Sequence, residues 1–263
     1  MRGRVLSVAG SDCGGGAGIQ ADIKTITALK GYAMSAITAL TVQDTTGVHR
    51  IIPVSPNDVA DQMRVVIQDL GVDAIKTGML GDEGTVHAVC DVLESQGKTI
   101  PLVVDPVMVA KGGASLLEEG AVTAVKRRLF PLASIVTPNL PEAETLIGTF
   151  KDPQMALKAL VDLGAQNVLL KGGHGNGDTL EDLLLCDGVV HRFVSDRIDT
   201  RHTHGTGCTL SSAIATYLAQ GDTMLQAVAK GHAYVRGAIL NAPGYGHGHG
   251  PLNHGYNVRI QTD

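Results

Sequence analysis

Short apolar runs alternate with segments of helical periodicity along most of the chain. Residues 5–9 ("VLSVA") and 35–42 ("SAITALTV") have the length and the apolar content of buried strands. Between them, Ile19, Ile23 and Ile26 recur at the spacing of one helix face. The chain therefore begins with a strand, a helix and a second strand.

The same alternation continues beyond residue 42. Four more strands are predicted where a short apolar run ends at a Gly, a Pro or a polar residue, in "DAIKTG", "PLVVDPV", "ASIVTPN" and "NVLLKGG". Another helix is predicted to follow Asn57, a preferred residue for the N-cap. Further helices are predicted over residues 83–96, 117–130, 141–148 and 153–164. Asp187 and Gly188 lie between two β-rich runs and predict a hairpin near the sheet edge.

This repetition predicts an α/β fold in which helices cover both faces of a parallel sheet. No linker and no shift in composition marks a second domain, so we expect one domain over residues 1–263. Ligands bind beyond the carboxyl ends of the strands in such sheets. Most of the candidate residues described below follow directly on a predicted strand.

Composition narrows the class of protein. Apolar residues make up 44% of the chain and charged residues 18%, which suits a large buried core. The net charge of −5 and the 3% of aromatic residues argue against nucleic acid as a partner. No apolar run approaches the length of a membrane span, and the N-terminus lacks the apolar region of a signal peptide. The four cysteines include no CxxC pair, so we expect a reduced, cytoplasmic protein.

The segment "THGTGCTLSSAIA" places Gly205, Thr206, Gly207 and Cys208 ahead of an amphipathic helix. The free N–H groups of a helix N-terminus and its dipole favour an anion, and the glycines let the chain approach it closely. A cysteine in this position is expected to have a depressed pKa, which suits a base or a nucleophile. On local grounds an ordinary turn with a buried thiol is an equal alternative.

A second glycine-rich segment, "GSDCGGGAGIQAD", joins the first strand to the first helix. Asp12 and Asp22 can accept hydrogen bonds from a small polar ligand, although a flexible exposed loop is the alternative. His247, His249 and His254 lie in a glycine-rich tail that fixes no geometry for a metal ion.

Charged groups at three other strand exits suggest phosphate chemistry. Glu142 and Asp105 are carboxylates that can hold Mg²⁺. A capping box between Asn139 and Glu142 is the structural alternative. Lys171 follows a strand and fits a phosphate contact as well as it fits a solvated lysine.

Together these stretches closely resemble the hydroxymethylpyrimidine/phosphomethylpyrimidine kinases of thiamine biosynthesis, within the ribokinase-like superfamily. The resemblance runs from "AGSDCGGGAGIQADIKTITALKGYAMSAITALTVQDTTGV" through "KTGML", "DPVMVAKGG", "TPNLPEAE" and "LLKGGH" to "THGTGCTLSSAIA". It implies a three-layer α/β/α sandwich with a mostly parallel sheet. It also implies two successive phosphorylations of 4-amino-5-hydroxymethyl-2-methylpyrimidine with ATP and Mg²⁺, and a homodimer.

The resemblance also implies roles for individual residues. Gln43 is expected to recognise the aminopyrimidine edge, and Asp22 to contact the hydroxymethyl group. Cys208 takes the substrate proton at the anion hole formed by Gly205, Thr206 and Gly207. The remaining expected contacts are Gly10, Val42, Met79 and Val107 with the pyrimidine, Lys171 and Thr206 with the nucleotide, and Glu142 and Asp105 with Mg²⁺.

Two other functions are compatible with this fold. Related pyridoxal kinases tend to carry a second cysteine in the lid, where this chain has Ala110, and this argues for the pyrimidine substrate. A ligand-binding regulator without catalysis would be expected to lack Cys208, Glu142 or the glycines, and all of these are present. The kinase motifs extend over the whole chain, so no fused thiamine-phosphate synthase is expected within it.

Overall fold

The computed structural model describes residues 1–109, 113, 116–172 and 177–258. Its centre is one sheet of nine strands in the order β3-β2-β1-β4-β5-β6-β7-β8-β9. The strands are β1 (Arg4–Asp12), β2 (Tyr32–Gln43), β3 (Val48–Pro53), β4 (Ala74–Thr77), β5 (Leu102–Val104), β6 (Ile135–Val136), β7 (Val168–Leu170), β8 (Thr179–Cys186) and β9 (Val189–Asp196). Strands β2, β1 and β4 to β7 are parallel, whereas β3 and β8 run antiparallel to their neighbours.

Helices cover both faces of this sheet and complete the α/β/α sandwich that the sequence predicts. They are α1 (Gly18–Ala28), α2 (Pro56–Asp69), α3 (Glu83–Gln96), α4 (Glu119–Ala124), α5 (Leu140–Ile147), α6 (Pro153–Val161), α7 (Thr206–Ala219) and α8 (Met224–Leu240). One face packs against α2 to α6 and the other against α1, α7 and α8. Among the described residues, no helix combines the length and the hydropathy that crossing a lipid bilayer requires.

The central strands are apolar throughout because both of their faces are covered. In β1, Val5 packs into the layer of α7 and α8, while Leu6 packs into the opposite layer. In β4, Ala74 and Ile75 divide in the same way, and all four side chains are fully buried. Successive side chains point to opposite faces of a strand, so a continuous apolar run fills two cores.

Three local expectations differ from the structure. Helix α2 begins at Pro56 rather than after Asn57. Ser55 is its N-cap residue and accepts a hydrogen bond from the Asp58 N–H. The single helix predicted over 117–130 is α4 followed by a π-helical turn, Val125–Leu129, and a short 3₁₀ turn. Pro131 lies in that last turn and cannot continue an α-helix. The edge strand β3 was not predicted.

Candidate active site

A cleft of about 1600 Å³ opens along the carboxyl ends of the parallel strands. It is lined by all of the sequence-predicted site residues except Asp22 and Val42. Those that line it are Gly10, Gln43, Met79, Asp105, Val107, Glu142, Lys171, Gly205, Thr206, Gly207 and Cys208. The fold therefore brings together residues that are up to about two hundred positions apart in the chain, at the edge where α/β sheets bind ligands.

The predicted anion hole lies at the N-terminus of α7. Gly205 is the N-cap residue and has a left-handed backbone (φ 83°), and a Cβ at this position would collide with the Gly16 carbonyl. A Cβ on Gly207 would lie 3.4 Å from both the Asp105 carboxylate and the Lys171 ammonium. The first N–H groups of the helix have no intrahelical acceptor. The Thr206 N–H lies 3.4 Å from the Thr203 carbonyl, a long contact that an anion in the cleft can replace.

Asp12 organises the glycine loop between β1 and α1. Its carboxylate accepts hydrogen bonds from the N–H groups of Gly14, Gly16 and Ala17 at 2.8–3.0 Å. The same carboxylate contacts His204 Nε2 at 2.9 Å. These bonds tie the loop to the segment that enters α7, so the loop has a defined shape rather than that of a flexible linker.

Three charged side chains meet beside the anion hole. Lys171 Nζ donates to Asp105 Oδ1 at 3.0 Å, and Thr137 Oγ1 donates to the same oxygen at 3.2 Å. Burial raises the pKa of Glu142 and Asp105 adds to this effect, whereas the Lys171 ammonium opposes it. Two carboxylates with one ammonium leave a net negative charge near the floor of the cleft.

Glu142 also completes a capping box at the start of α5. Its Oε2 accepts from the Asn139 N–H, and Asn139 Oδ1 accepts from the Glu142 N–H, both at 2.9 Å. The structural alternative left open by the sequence is therefore present. It is compatible with ligand binding, because a carboxylate that accepts the N–H groups of Asn139 and Met108 still retains acceptor sites.

Within the part of the chain that the structure describes, no group of three or more His, Cys, Asp or Glu side chains is arranged to hold a metal ion. The two carboxylates of Glu142 and Asp105 nevertheless fit Mg²⁺. In proteins this ion commonly takes one or two carboxylates and completes its shell with water and substrate phosphates.

Asp22 lies beneath the cleft rather than in its wall. Its side chain and that of Lys76 are 0% exposed, and Lys76 Nζ lies 3.0 and 2.9 Å from the two carboxylate oxygens. Ser7 and Ser212 each donate a further hydrogen bond to the Asp22 carboxylate. With these partners, Asp22 supports α7 from below. It does not line the cleft, and its expected contact with the hydroxymethyl group stays a prediction.

Cys208 is partly buried and does not have the depressed pKa that its position suggested. Burial raises the pKa of its thiol to about 11. The Lys76 ammonium and a hydrogen bond from the Gly18 N–H lower it, while Asp22 and Asp105 raise it. Desolvation of the thiolate is the largest of these effects, so the expectation of a depressed pKa was wrong.

The expected ring-binding residues occupy the other wall of the cleft. A Cβ on Gly10 would lie 3.0 Å from Met79 Cε, so a side chain at this position would displace the end of the methionine. Val107 has a positive φ of 41°, which is strained for a β-branched residue and is typical of functional sites. Val42, in contrast, is 39% exposed and does not line the cleft. It flanks Gln43 without facing the ligand space.

Sequence reasoning missed two parts of the cleft. One is His204, and its position directly before the Gly205–Cys208 motif was the only signal in the sequence that pointed to it. The other is an apolar wall formed by β9 and α8, where Phe193 and His232 stack with ring centroids 4.9 Å apart. Val235 and Ile239 also line this end. Only the tertiary structure places this wall beside the anion hole.

The comparisons with known proteins agree with this geometry. The family model described as phosphomethylpyrimidine kinase matches residues 12–253. The thiamine biosynthesis bifunctional protein ThiED of Geobacter sulfurreducens is 54% identical over 257 residues, which are 96% of this chain and 52% of that protein. The chain thus spans about half the length of that relative. The hydroxymethylpyrimidine/phosphomethylpyrimidine kinase of Bacillus subtilis is 45% identical over 95% of this chain and 94% of its own length.

Solved structures give the same result for the fold. The pyridoxal kinase of Staphylococcus aureus in complex with AMP-PCP and pyridoxal superposes with a TM-score of 0.88 at 36% identity, covering 99% of this chain and 96% of that chain. The phosphomethylpyrimidine kinase of Clostridium difficile gives a TM-score of 0.79 at 37% identity, covering 90% of this chain and 99% of that chain. The match to the family model and the similarity to these relatives extend over nearly the whole chain. The superpositions show that the chain also shares their ribokinase-like fold. The chain therefore belongs to the phosphomethylpyrimidine kinase family.

Proposed function

We propose that this cleft binds 4-amino-5-hydroxymethyl-2-methylpyrimidine and its monophosphate and transfers a phosphoryl group from ATP to each. Family membership makes the chain a kinase of thiamine biosynthesis, and the complexes of related kinases with AMP-PCP and ADP support ATP as the donor. The observation that carries the proposal is the convergence of the α7 N-terminus, Cys208, Asp105 and Lys171 at one point of the cleft.

The anion hole acts on the phosphoryl group in transfer. The N–H groups of Thr206, Gly207 and Cys208 stabilise the negative charge on its oxygens, and Lys171 neutralises part of the charge on the nucleotide phosphates. Phosphoryl transfer needs little covalent chemistry from the protein, so positioning and charge account for most of the catalysis. The apolar wall around Phe193 is suited to the nucleotide base.

Cys208 takes the proton of the substrate hydroxyl. The thiolate is a minor form at neutral pH because the pKa of this thiol is raised to about 11. The transfer rate should therefore rise with pH through the neutral range. An aspartate at this position, as most ribokinase relatives have, would be ionised at neutral pH and would remove that dependence.

Glu142 and Asp105 hold Mg²⁺, which supplies positive charge to the phosphates of the nucleotide when it is bound. The two carboxylates beside the single ammonium of Lys171 support this assignment. Gln43 recognises the aminopyrimidine edge with its amide, and Met79 and Val107 pack against the ring. These contacts hold the hydroxymethyl group toward the α7 N-terminus.

We extend the proposal to the state of the protein in the cell. The continuous nine-stranded sheet supports a single kinase domain. A homodimer is supported by apolar side chains exposed on the β2–β3 hairpin, namely Leu40, Ile51 and Ile52 at 45%, 38% and 43% exposure. A cytoplasmic location is supported by four free cysteines and by ATP as the donor.

A coupled ADP-release assay with Mg·ATP tests the function. We expect turnover of the hydroxymethylpyrimidine and of its monophosphate. Cys208→Ala should bind the pyrimidine but turn it over at least about a hundred-fold more slowly. Cys208→Asp should retain activity with a flatter pH profile between pH 6 and 9. Absence of ADP release with either pyrimidine would reject the proposal.

Pyridoxal is a second candidate substrate, since the superposition on a pyridoxal kinase has a higher TM-score than that on the Clostridium kinase. Ala110, whose identity argued against pyridoxal, lies outside the described residues. The same assay with pyridoxal decides the order of preference. A higher kcat/KM for pyridoxal than for the pyrimidine would make it the main substrate.

A further inference from the structure

The amide of Gln43 has an unusual set of neighbours. Its Nε2 lies 3.3 Å from His204 Nε2, and its Oε1 lies 3.2 Å from Thr41 Oγ1. The backbone of Gln43 is held at both ends by Cys13, whose sulfur donates to the Gln43 carbonyl at 3.1 Å and accepts from its N–H at 3.3 Å. The side chain is thus anchored at its base, and His204 and Thr41 flank its amide.

The hydrogen on His204 Nε2 is fixed by Asp12. Burial alone would raise the pKa of Asp12. The hydrogen bond and the charge of His204, with the N–H groups of Ala17 and Gly14, instead lower this pKa below its usual value. Asp12 is therefore a carboxylate that only accepts hydrogen bonds. His204 Nε2, 2.9 Å from Asp12 Oδ2, must carry a hydrogen in either charge state of the ring.

The hydroxyl hydrogen of Thr41 is also used, in a hydrogen bond to the Ser11 carbonyl. Thr41 Oγ1 lies 2.8 Å from the Ser11 carbonyl, which cannot donate, and a hydroxyl has a single hydrogen. Oriented in this way, Thr41 Oγ1 presents a lone pair to Gln43. With Nε2 toward His204, the amide nitrogen of Gln43 would face the N–H of His204, which is a donor against a donor. Its oxygen would face the lone pair of Thr41 Oγ1, which is an acceptor against an acceptor. Exchanging its two ends, which have nearly the same shape, lets the amide nitrogen donate to Thr41 Oγ1. It also gives the His204 N–H, whose shorter bond is to Asp12 at 2.9 Å, the Gln43 oxygen at 3.3 Å as a second, shared acceptor.

We propose that His204, oriented by Asp12, is a specificity-determining residue that fixes the Gln43 amide with its oxygen toward His204 and its nitrogen toward Thr41. Each end of the amide then uses one hydrogen-bonding site on the protein. The remaining lone pair of Oε1 and the remaining hydrogen of Nε2 face the ligand as an acceptor beside a donor, in one fixed order.

This order determines which pyrimidine fits, and here the inference rests on the proposed function. A 4-aminopyrimidine offers an amine donor beside the N3 acceptor, which matches the amide edge. The 4-oxo analogue, in its N3–H form, offers the reverse order with almost the same shape. The hydroxymethyl group is attached beside C4 and must point toward Cys208. The ring therefore cannot turn over to exchange the two positions.

The test is the ratio of kcat/KM for the 4-amino substrate to that for its 4-oxo analogue, 5-hydroxymethyl-2-methylpyrimidin-4-one. We expect a ratio of about a hundred or more in the unmodified chain, because a mismatched edge leaves buried polar groups unpaired. His204→Leu should lower this ratio about ten-fold or more, since the amide can then rotate to accept the oxo form. His204→Gln, whose amide nitrogen can replace Nε2, should restore most of it.

Thr41→Val provides a second variant that acts at the other end of the amide, and it should lower the ratio in the same direction. His87→Leu is the matched control, because His87 lies on α3 outside the cleft lining. If His204→Leu slows both substrates equally and leaves the ratio unchanged, His204 has only a structural role and the inference is wrong. If the unmodified chain turns over neither pyrimidine, the proposed function fails first.

Discussion

Asp22 and Lys76 form an ion pair that is closed off from solvent directly beneath the α7 N-terminus. Both side chains are 0% exposed. Ser212, one helical turn after Cys208, donates a hydrogen bond to the Asp22 carboxylate at 2.6 Å. The Gly18 N–H, one turn before Asp22 on α1, bonds to the Cys208 thiol. The pair thus holds two helix N-termini together at the floor of the cleft.

Removing one charge of this pair should cost much of the stability of the fold. Lys76→Met leaves the Asp22 carboxylate buried without a cation, and we expect the free energy of unfolding to fall by about 3–5 kcal/mol. The double variant Lys76→Met/Asp22→Leu should recover a large part of the loss, because two apolar side chains replace two charges. Urea unfolding of the three proteins measures both effects. A loss below about 1 kcal/mol in the single variant would contradict this account.

The raised pKa of Cys208 predicts slow, alkaline alkylation. In a Cys13→Ser background, which removes the exposed thiol, the rate of reaction of Cys208 with iodoacetamide should rise about ten-fold per pH unit up to pH 10. The rate should not level off near pH 9, the usual pKa of a thiol, because burial shifts the midpoint to about 11. Peptide mass spectrometry separates Cys208 from the buried Cys90 and Cys186. A plateau below pH 8 would show that the helix N-terminus dominates after all.

The sequence predicted the layers of the fold because burial on both faces of a strand leaves a direct pattern. Residues 83–96 were predicted as a helix, and α3 has those bounds. The hairpin at Asp187 and Gly188 was also predicted, because Asp-Gly between two strands is a common turn sequence. In the structure both residues have the positive φ that such a turn requires. The cap at Ser55 was missed because Asn57 is an equally good cap residue, and only the position of Pro56 distinguishes them.

The site was predictable where a motif carries its own geometry. Gly205 to Cys208 precede a helix, and the arrangement of an anion hole follows from that fact. The environment of each side chain was not predictable, because it depends on residues from distant elements. The pKa of Cys208 depends on Lys76 from β4, and the Asp22 carboxylate is paired with that same lysine. His204 escaped notice because its partners, Asp12 and Gln43, come from the other end of the chain.

The assignment of Glu142 to Mg²⁺ predicts a specific phenotype for Glu142→Gln. Glutamine can keep the capping box, so the start of α5 should remain intact. We expect the Mg²⁺ concentration for half-maximal activity to rise about ten-fold or more, because one of two carboxylate ligands is lost. The exposed Glu144 lies on the same helix, and Glu144→Gln should leave the Mg²⁺ dependence unchanged. An unchanged Mg²⁺ requirement in Glu142→Gln would remove Glu142 from the metal site.

The same variant should also change how stability depends on pH. The pKa of Glu142 is raised in the folded chain by burial, so its contribution to stability is fully present below the unfolded pKa, near 4.5, and is lost as the pH rises. Glu142→Gln lacks this dependence. Without Mg²⁺ at pH 7, it should therefore be at least as stable as the unmodified chain in urea unfolding. A clear loss of stability there would mean that the capping box needs the carboxylate.

His254 connects the C-terminal segment to the anion hole through Thr209. Thr209 Oγ1 donates to the Gly205 carbonyl at 2.8 Å, which uses its one hydrogen, so His254 Nε2 must donate to Thr209 Oγ1 at 2.9 Å. The ring is 4% exposed, and the Tyr234 hydroxyl donates to the His254 carbonyl. A neutral His254 thereby supports the left-handed turn at Gly205.

This arrangement predicts a loss of stability in mild acid. Burial lowers the pKa of His254 to about 4, and the positive charges of Lys24 and His204 act in the same direction. Its contribution is therefore fully present above the unfolded pKa of about 6.5 and is lost as the pH falls toward 4, by up to about 3 kcal/mol. In His254→Gln, whose amide nitrogen can still donate to Thr209, this part of the pH dependence should disappear. Urea unfolding of both proteins between pH 7 and pH 4.5 measures the difference, and parallel curves would show that His254 is not held in the neutral form.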